Sequence, residues 1–319
     1  MSTLIDRIAC HSWNREVADE PWLHNMLSML SLNERRMLHW LAREFDLTDG
    51  EAIVDLGSFL GGSSISLATG LAANTGISNK DYRIHSYDIF IAPTDESYLE
   101  YLGPDTRPGM STMPFLLRTL GQHARSVFVH AGDFLQAAPP FQPIGILFVD
   151  IAKSWELNDV VLSRFFSRLI PGRSLLIQQD YNDHSCPWIN LTMVHLAEYF
   201  QILCDDHGSR VYLYTRQIPS DVLAAPLRGQ IPPAEMLAGM DRAWQAEHSL
   251  HSRFFTYVTM SWLVFEFEGI QKATEHLGQC HDRIGYPWPE AGEYLDTLAA
   301  IMVRTAETVS QPHYGLDFA

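Results

Sequence analysis

Residues 52–69 read AIVDLGSFLGGSSISLAT. Ala52 to Leu56 is a short apolar run broken only by Asp55, a pattern that predicts a buried strand. Gly57-Ser58-Phe59-Leu60-Gly61-Gly62 follows as a glycine-rich turn. From Ser63 the spacing of Ile65, Leu67, Ala68, Leu71 and Ala72 predicts a helix. Strand, glycine turn and helix form the first unit of a nucleotide-binding α/β sheet. Glycine lets the backbone turn tightly and leaves room for a ligand. The new helix offers free N–H groups and a partial positive charge to whatever sits in the turn. Ser63 or Ser64 is expected to cap it.

Upstream, residues 1–50 read as two helices. One runs from Pro21 to Leu30, with proline in the first turn. The second is opened by the capping box Ser31-Leu32-Asn33-Glu34 and runs to about Phe45. These helices are expected to cap the sheet or to form a dimer surface. Downstream, further strands are predicted at Arg83–Asp88, Val127–Ala131, Ile144–Val149, Ser174–Gln179 and Arg210–Thr215. Helices are predicted at Met113–His123, Trp155–Leu169 and Trp188–Leu203. The proline-punctuated stretch 91–114 reads as a loop or lid. Alternating strands and helices imply a doubly wound, mostly parallel, Rossmann-like α/β sheet. After Pro219 the pattern changes. Pro226, Pro232 and Pro233 mark a linker, and residues 234–283 and 289–309 read as helical, separated by Gly285-Tyr286-Pro287-Trp288-Pro289. The expected organisation is an N-terminal helical cap (1–50), a sheet domain (51–218) and a C-terminal helical extension (219–319).

The chain has 319 residues, a formal charge of −16, 46% hydrophobic and 19% charged residues. That length buries a full core. The acidic balance argues against a general nucleic-acid binder, which needs a basic surface. Cys10, Cys186, Cys204 and Cys280 are scattered with no CxxC pair, so neither a zinc knuckle nor a disulfide framework is expected. No basic-then-apolar leader opens the sequence, and Phe254 to Phe267, the most apolar run, contains Glu266 and is short for a bilayer span. A cytoplasmic protein without membrane partners is expected, with that run as a buried helix.

Five predicted strands finish at or beside an acid: Asp55, Asp88, Asp133, Asp150 and Asp180. In an open α/β sheet, ligands bind at the carboxyl ends of strands, and buried carboxylates are costly without partners. Each acid taken alone could instead cap the next helix or turn. Their recurrence at matching positions points to a polar crevice. Asp88, at the end of the second strand, is placed to accept hydrogen bonds from ribose hydroxyls, and Asp133 to meet a purine amine.

The string Asp55-Leu-Gly57-Ser-Phe-Leu-Gly61-Gly62-Ser63 resembles motif I of class I S-adenosylmethionine-dependent methyltransferases, most of all the branch of macrocin O-methyltransferase and related sugar and natural-product tailoring enzymes. The resemblance extends to Asp88, to Ala131-Gly132-Asp133, to Leu147-Phe148-Val149-Asp150 and to Leu169–Tyr181, over roughly residues 50–215. Arg173 departs from the second glycine of the fifth-strand signature. The resemblance implies S-adenosylmethionine held by Asp55, Gly57, Gly61, Ser63, Asp88 and Asp133, and methyl transfer to a hydroxyl of a small-molecule acceptor. NAD is the competing cofactor. A dinucleotide fingerprint needs G-x-G-x-x-G, and Phe59 stands where its second glycine would be. Asp55 suits an ammonium group and opposes a pyrophosphate.

Methyl transfer needs an in-line acceptor and, for a hydroxyl, removal of a proton. Asp150 and Lys153 after the fourth strand, and Asp180 and His184 after the fifth, are the candidates for that side. His184 titrates near neutrality and suits a general base, or it is a loop histidine with a local hydrogen bond. Lys153 pairs with Asp150 or contacts an anionic acceptor. The resemblance also implies Mg2+ on Asp150 and Asp180. Gln179 stands where the family often has aspartate, and a neutral amide binds magnesium less well than a carboxylate. Homo-oligomerisation through the terminal helices is a further expectation. The alternatives are a non-catalytic assembly partner that keeps the nucleotide fold and, more weakly, an NAD-dependent enzyme.

Overall fold

The computed structural model describes residues 2–94, 102–103, 105–224, 231–247, 249–285 and 288–308. The expectations that fall on 95–101, 104, Pro226, Tyr286, Pro287 and residue 309 lie outside that set. The chain divides into two compact units. The first comprises Met1–Ile151, Val160–Gln179 and Tyr199–Leu223, and the second Ala152–Asp159, Asp180–Glu198 and Ala224–Ala319.

The first unit is built on one seven-stranded sheet. Its strands are β1 (Ala52–Leu56), β2 (Ile84–Asp88), β3 (Val127–Ala131), β4 (Ile144–Val149), β5 (Leu175–Gln178), β6 (Phe200–Asp206) and β7 (Ser209–Tyr214). Their spatial order is β3-β2-β1-β4-β5-β7-β6. Every pair from β3 through β5 is parallel, whereas β7 runs antiparallel to β5 and β6 antiparallel to β7. β1 and β4 are buried along their whole length, as central parallel strands covered on both faces must be. The strand order reverses on either side of β1, so β1 and β4 flank the topological switch point, where such sheets open a crevice at their carboxyl ends.

The sequence reading places a helix over Trp188–Leu203. The helix observed is Pro187–His195, and Phe200–Asp206 is a strand. The reason lies in the partner. Asp206-His207-Gly208-Ser209 turns the chain back, with His207 at φ 51°, and β7 supplies the ladder for residues whose apolar character fits either period. The helix expected over Pro21–Leu30 is also shorter, a single turn at Pro21–His24. Two helices absent from the reading precede it, Ser2–Ala9 and Trp13–Glu16. The helix Leu32–Glu44 starts with the full capping box: Glu34 N–H donates to Ser31 Oγ at 3.2 Å, and Ser31 N–H donates to Glu34 Oε2 at 2.9 Å.

The N-terminal helices share one core with the sheet. Trp13, Leu38, Trp40 and Leu41 are buried with Ile53, Ile146, Phe148 and Ile177. Trp13 Nε1–H donates to the buried Asp206 Oδ2 at 2.7 Å, and Ser209 Oγ donates to Glu34 Oε1 at 2.7 Å, so β6, β7 and the helices are tied by polar as well as apolar contacts. Arg173, where the family signature carries glycine, is ion-paired with Glu51.

The second unit is helical: Pro233–Ala246, Leu250–Glu268, Ile270–Gly278, Cys280–Ile284 and Ala291–Thr308, joined by Pro187–His195. The stretch 234–283, which reads as helical, comprises several helices. The longest, Leu250–Glu268, opens at Ser249, whose Oγ accepts from Ser252 N–H at 2.9 Å, and stops at Gly269, which takes φ 87°. It buries Phe254, Tyr257, Val258 and Leu263 against Met240, Leu277 and Met302. Among the described residues no helix is long and apolar enough to cross a membrane.

Candidate functional site

The chain leaves β1 through a turn shaped by its neighbours. Gly57 has φ 92°, and a Cβ built there would lie 2.4 Å from the carbonyl oxygen of Asp150. The two segments are pinned by Asp150 N–H donating to Leu56 O at 2.7 Å. Glycine is required at 57 because the end of β4 fills the space a side chain would take. Gly61 also has φ 92° and is the residue before the helix Gly62–Ala73, with a built Cβ 2.8 Å from Leu116 Cδ1.

Neither Ser63 nor Ser64 caps that helix. Both hydroxyls turn back to Asp55 Oδ2, Ser63 Oγ donating at 2.9 Å and Ser64 Oγ at 2.5 Å. Asp55 is 0% exposed, and a hydroxyl near a buried carboxylate is worth more there than on a backbone N–H that water can reach. Burial pushes the Asp55 carboxyl up to about 6. The serines pull it down and the nearby Asp88 raises it further. Its Oδ1 is buried with no hydrogen-bond partner among the described residues.

Asp88 ends β2, next to β1 in the sheet. Its carboxylate accepts from backbone donors that include Phe59 N–H at 2.8 Å, Phe90 N–H at 2.9 Å and Ile89 N–H. Both phenylalanines are left-handed, at φ 47° and 52°, a conformation that disfavours a residue with Cβ. One carboxylate therefore stabilises two strained residues, one in the glycine turn and one in the loop after β2. Burial raises the Asp88 carboxyl above its ordinary range, and the backbone donors oppose this. Asp88 is partly exposed at the carboxyl end of the sheet. The loop beyond it is closed by Thr112 N–H donating to Phe90 O at 2.8 Å and by a bridge between Ile91 and Ser111.

Asp133 is exposed and caps the short turn Phe134–Gln136, its Oδ1 accepting from Leu135 N–H at 2.9 Å. Asp150 is half-buried beside Gly57. His85 and His130 on adjacent strands share a 2.9 Å hydrogen bond, and His130 stacks on Tyr87 at 4.0 Å. A cleft of about 310 Å³ lies by Asp49, Asn79, Tyr82, Arg83 and Gln142, around the chain entering β1 and β2. Those are the amino ends of the strands, so this cleft belongs to the end opposite the glycine turn and the acids.

In the second unit, Lys153 Nζ is ion-paired with Asp180, which holds φ 62°. The Mg2+ reading on Asp150 and Asp180 is not supported. Among the described residues no group of three or more His, Cys, Asp or Glu side chains could hold a metal ion, and an ammonium stands against Asp180. His184 Nδ1 lies 3.1 Å from the hydroxyl of Tyr294 and 3.8 Å from Asp183 Oδ1, with its ring edge-on to Trp262 at 5.2 Å between centroids. Burial lowers the His184 imidazole below its ordinary value and Asp183 opposes this. The same segment buries Tyr181, whose hydroxyl donates to the buried Glu247 Oε1 at 3.1 Å. Sequence reading missed Tyr294, Glu247 and the left-handed pair Phe59 and Phe90. The first two stand over sixty positions from their partners, and nothing in the local pattern marks positive φ at phenylalanine.

The fold and the turn define a doubly wound α/β unit with acids at the ligand-binding ends of its two adjacent strands β1 and β2. No family model matches the sequence, and no curated protein matches it. Solved structures to which the chain is similar include methyltransferases. They include a calicheamicin methyltransferase, CalS11 (18% identity, TM-score 0.46, 67% of this chain and 91% of that chain), and NovP (14%, 0.46, 67% and 99%). TomG from Streptomyces achromogenes, in complex with SAM, is another (18%, 0.39, 66% and 96%).

Proposed function

We propose that this chain is a methyltransferase that uses S-adenosylmethionine to methylate a hydroxyl of a small molecule, a sugar or secondary metabolite. The observation that carries the reading is the pair of carboxylates, Asp55 and Asp88, at the ends of adjacent parallel strands beside the glycine turn. Asp55 at that place repels a pyrophosphate and attracts an ammonium, and Asp88 is placed for ribose hydroxyls. Phe59 stands where a dinucleotide site needs glycine, and Asp150 backbone fills the space at Gly57.

The residues fit the cofactor. Asp55 Oδ1 is a buried acceptor left over for an ammonium donor. Asp88 keeps lone-pair capacity for ribose hydroxyls beyond that given to Phe59, Ile89 and Phe90. Gly57, Gly61 and Ser63 shape the turn, and Asp133 is assigned to the purine amine. The cofactor supplies an electrophilic methyl group on a sulfonium. Asp150, and Lys153, Asp180 and His184 in the segments that follow β4 and β5, are assigned to the acceptor, with His184 as proton acceptor and Lys153 as the group for an anionic part. A cytoplasmic setting, a place in natural-product biosynthesis and self-association through the terminal helices belong to the same reading.

Calorimetry with S-adenosylhomocysteine tests it. The folded wild type should bind, and Asp88→Ala should weaken binding by about 10- to 100-fold, because a hydrogen bond to a charged group contributes about 1.5–3 kcal/mol. Asp88→Asn separates that contact from the loss of the Phe59 and Phe90 anchors. No binding by folded wild type sinks the proposal.

A further inference from the structure

We infer that Asp183 and Tyr294, the latter from the C-terminal helix Ala291–Thr308, are positioning residues that together fix the tautomer of His184, so that Nε2 presents a lone pair as the proton acceptor. The inference rests on the methyl-transfer reading above and adds the groups that orient its base. Three observations within the second unit carry it. The Tyr294 hydroxyl is 3.1 Å from His184 Nδ1. The Asp183 carboxylate is 3.8 Å from the same nitrogen. Asp183 is itself immobilised, its Oδ1 accepting from Ser185 N–H and Ser185 Oγ–H at 2.8 Å each.

A phenol can donate to Nδ1 or accept from it, so Tyr294 alone leaves the tautomer open. The carboxylate decides. Negative charge close to Nδ1 favours a proton on that atom over one on the far nitrogen. Nδ1–H then donates to the Tyr294 oxygen, and Nε2 is left unprotonated. Burial and Asp183 push the Tyr294 phenol up to about 12, so it stays a neutral hydroxyl. The groups facing the ring are Asp183 on its own loop, Tyr294 on the last helix, and Trp262 on Leu250–Glu268, whose Nε1–H donates to Glu266 at 3.1 Å. In the reaction the acceptor O–H proton passes to Nε2. The acceptor oxygen takes the methyl group, and the electron pair of the broken S–CH3 bond stays on sulfur. The imidazolium so formed keeps its Nδ1–H on Tyr294 and lies beside Asp183, which stabilises the new charge.

Histidine-selective 15N NMR on the full chain at pH 7.5 reads this without a known acceptor, the signal being assigned by His184→Gln. The expected wild-type state is Nδ1–H with Nε2 unprotonated. Tyr294→Phe and Asp183→Asn should each raise the Nε2–H fraction by about threefold or more. A variant that only loosened the packing would not move the proton between nitrogens. An Nε2–H tautomer in wild type, or an unchanged tautomer in either folded variant, overturns the inference. S-adenosylhomocysteine calorimetry on the same wild-type sample separates the two readings. Binding together with the wrong tautomer removes only the positioning role. Absence of binding removes the methyl-transfer reading and, with it, the proton transfer assigned to Nε2.

Discussion

Asp55→Asn should leave the protein as stable as the wild type at pH 8, or more stable, even though it alters a fully buried carboxylate that two serines bond. The sign follows from burial. The Asp55 carboxyl is pushed up to about 6 in the folded chain, against about 3.9 unfolded. A group whose folded pKa is raised binds its proton more tightly when folded. The folded state is therefore favoured most below about pH 4, and that contribution is lost as pH rises through about 6. Two pKa units correspond to about 3 kcal/mol, so ionised Asp55 opposes folding by that order above the window. Asparagine carries no charge and still offers its oxygen to Ser63 and Ser64. Its NH2 group takes the place of the unpartnered Oδ1 and is left without an acceptor, at about 1–3 kcal/mol. The balance at pH 8 is about 0–2 kcal/mol in favour of the variant. Urea unfolding of both proteins at pH 4.5, 6 and 8 measures it. The stability difference should shift toward the variant by about 2–3 kcal/mol across that range. S-adenosylhomocysteine binding at pH 8 should weaken in the same variant if Oδ1 receives the ammonium. A variant more than about 1 kcal/mol less stable than wild type at pH 8 would refute the reasoning, since the two serine bonds would then outweigh the desolvation.

Gly57→Ala should destabilise by about 2–5 kcal/mol, from left-handed backbone at about 1–2 kcal/mol and overpacking at about 1–3 kcal/mol. Gly172→Ala, with φ 72° and nothing within 4 Å of its built Cβ, should show only the first part. Equal losses in urea would mean that Asp150 moves aside freely. Ser31→Ala removes the capping box at the start of Leu32–Glu44 and should lower stability by about 1 kcal/mol. It should leave S-adenosylhomocysteine affinity unchanged in calorimetry, because it acts through the helix terminus and not through the turn.

Much of the sheet was legible because β1, β4 and β5 declare themselves locally. Each is a short apolar run ended by a polar residue or turn signal, and a strand buried on both faces can be little else. The capping box at Ser31 was legible for the same reason, since both of its partners lie within four residues. Phe200–Asp206 was not. Its residues suit a helix or a strand, and only the ladder with β7 chose between them.

The site divides the same way. The sequence by itself determined the glycine turn after β1, the acids at the strand ends and the order in which the strands present them, because these depend on spacing along the chain. What each group does was decided by contacts between distant segments. Gly57 answers to the Asp150 carbonyl, Ser63 and Ser64 to Asp55 in place of a helix end, Lys153 to Asp180, and His184 to Tyr294. Residue type sets which bonds a side chain can make. A buried polar group must find a partner wherever the packing brings one, and that choice is made only when the segments meet.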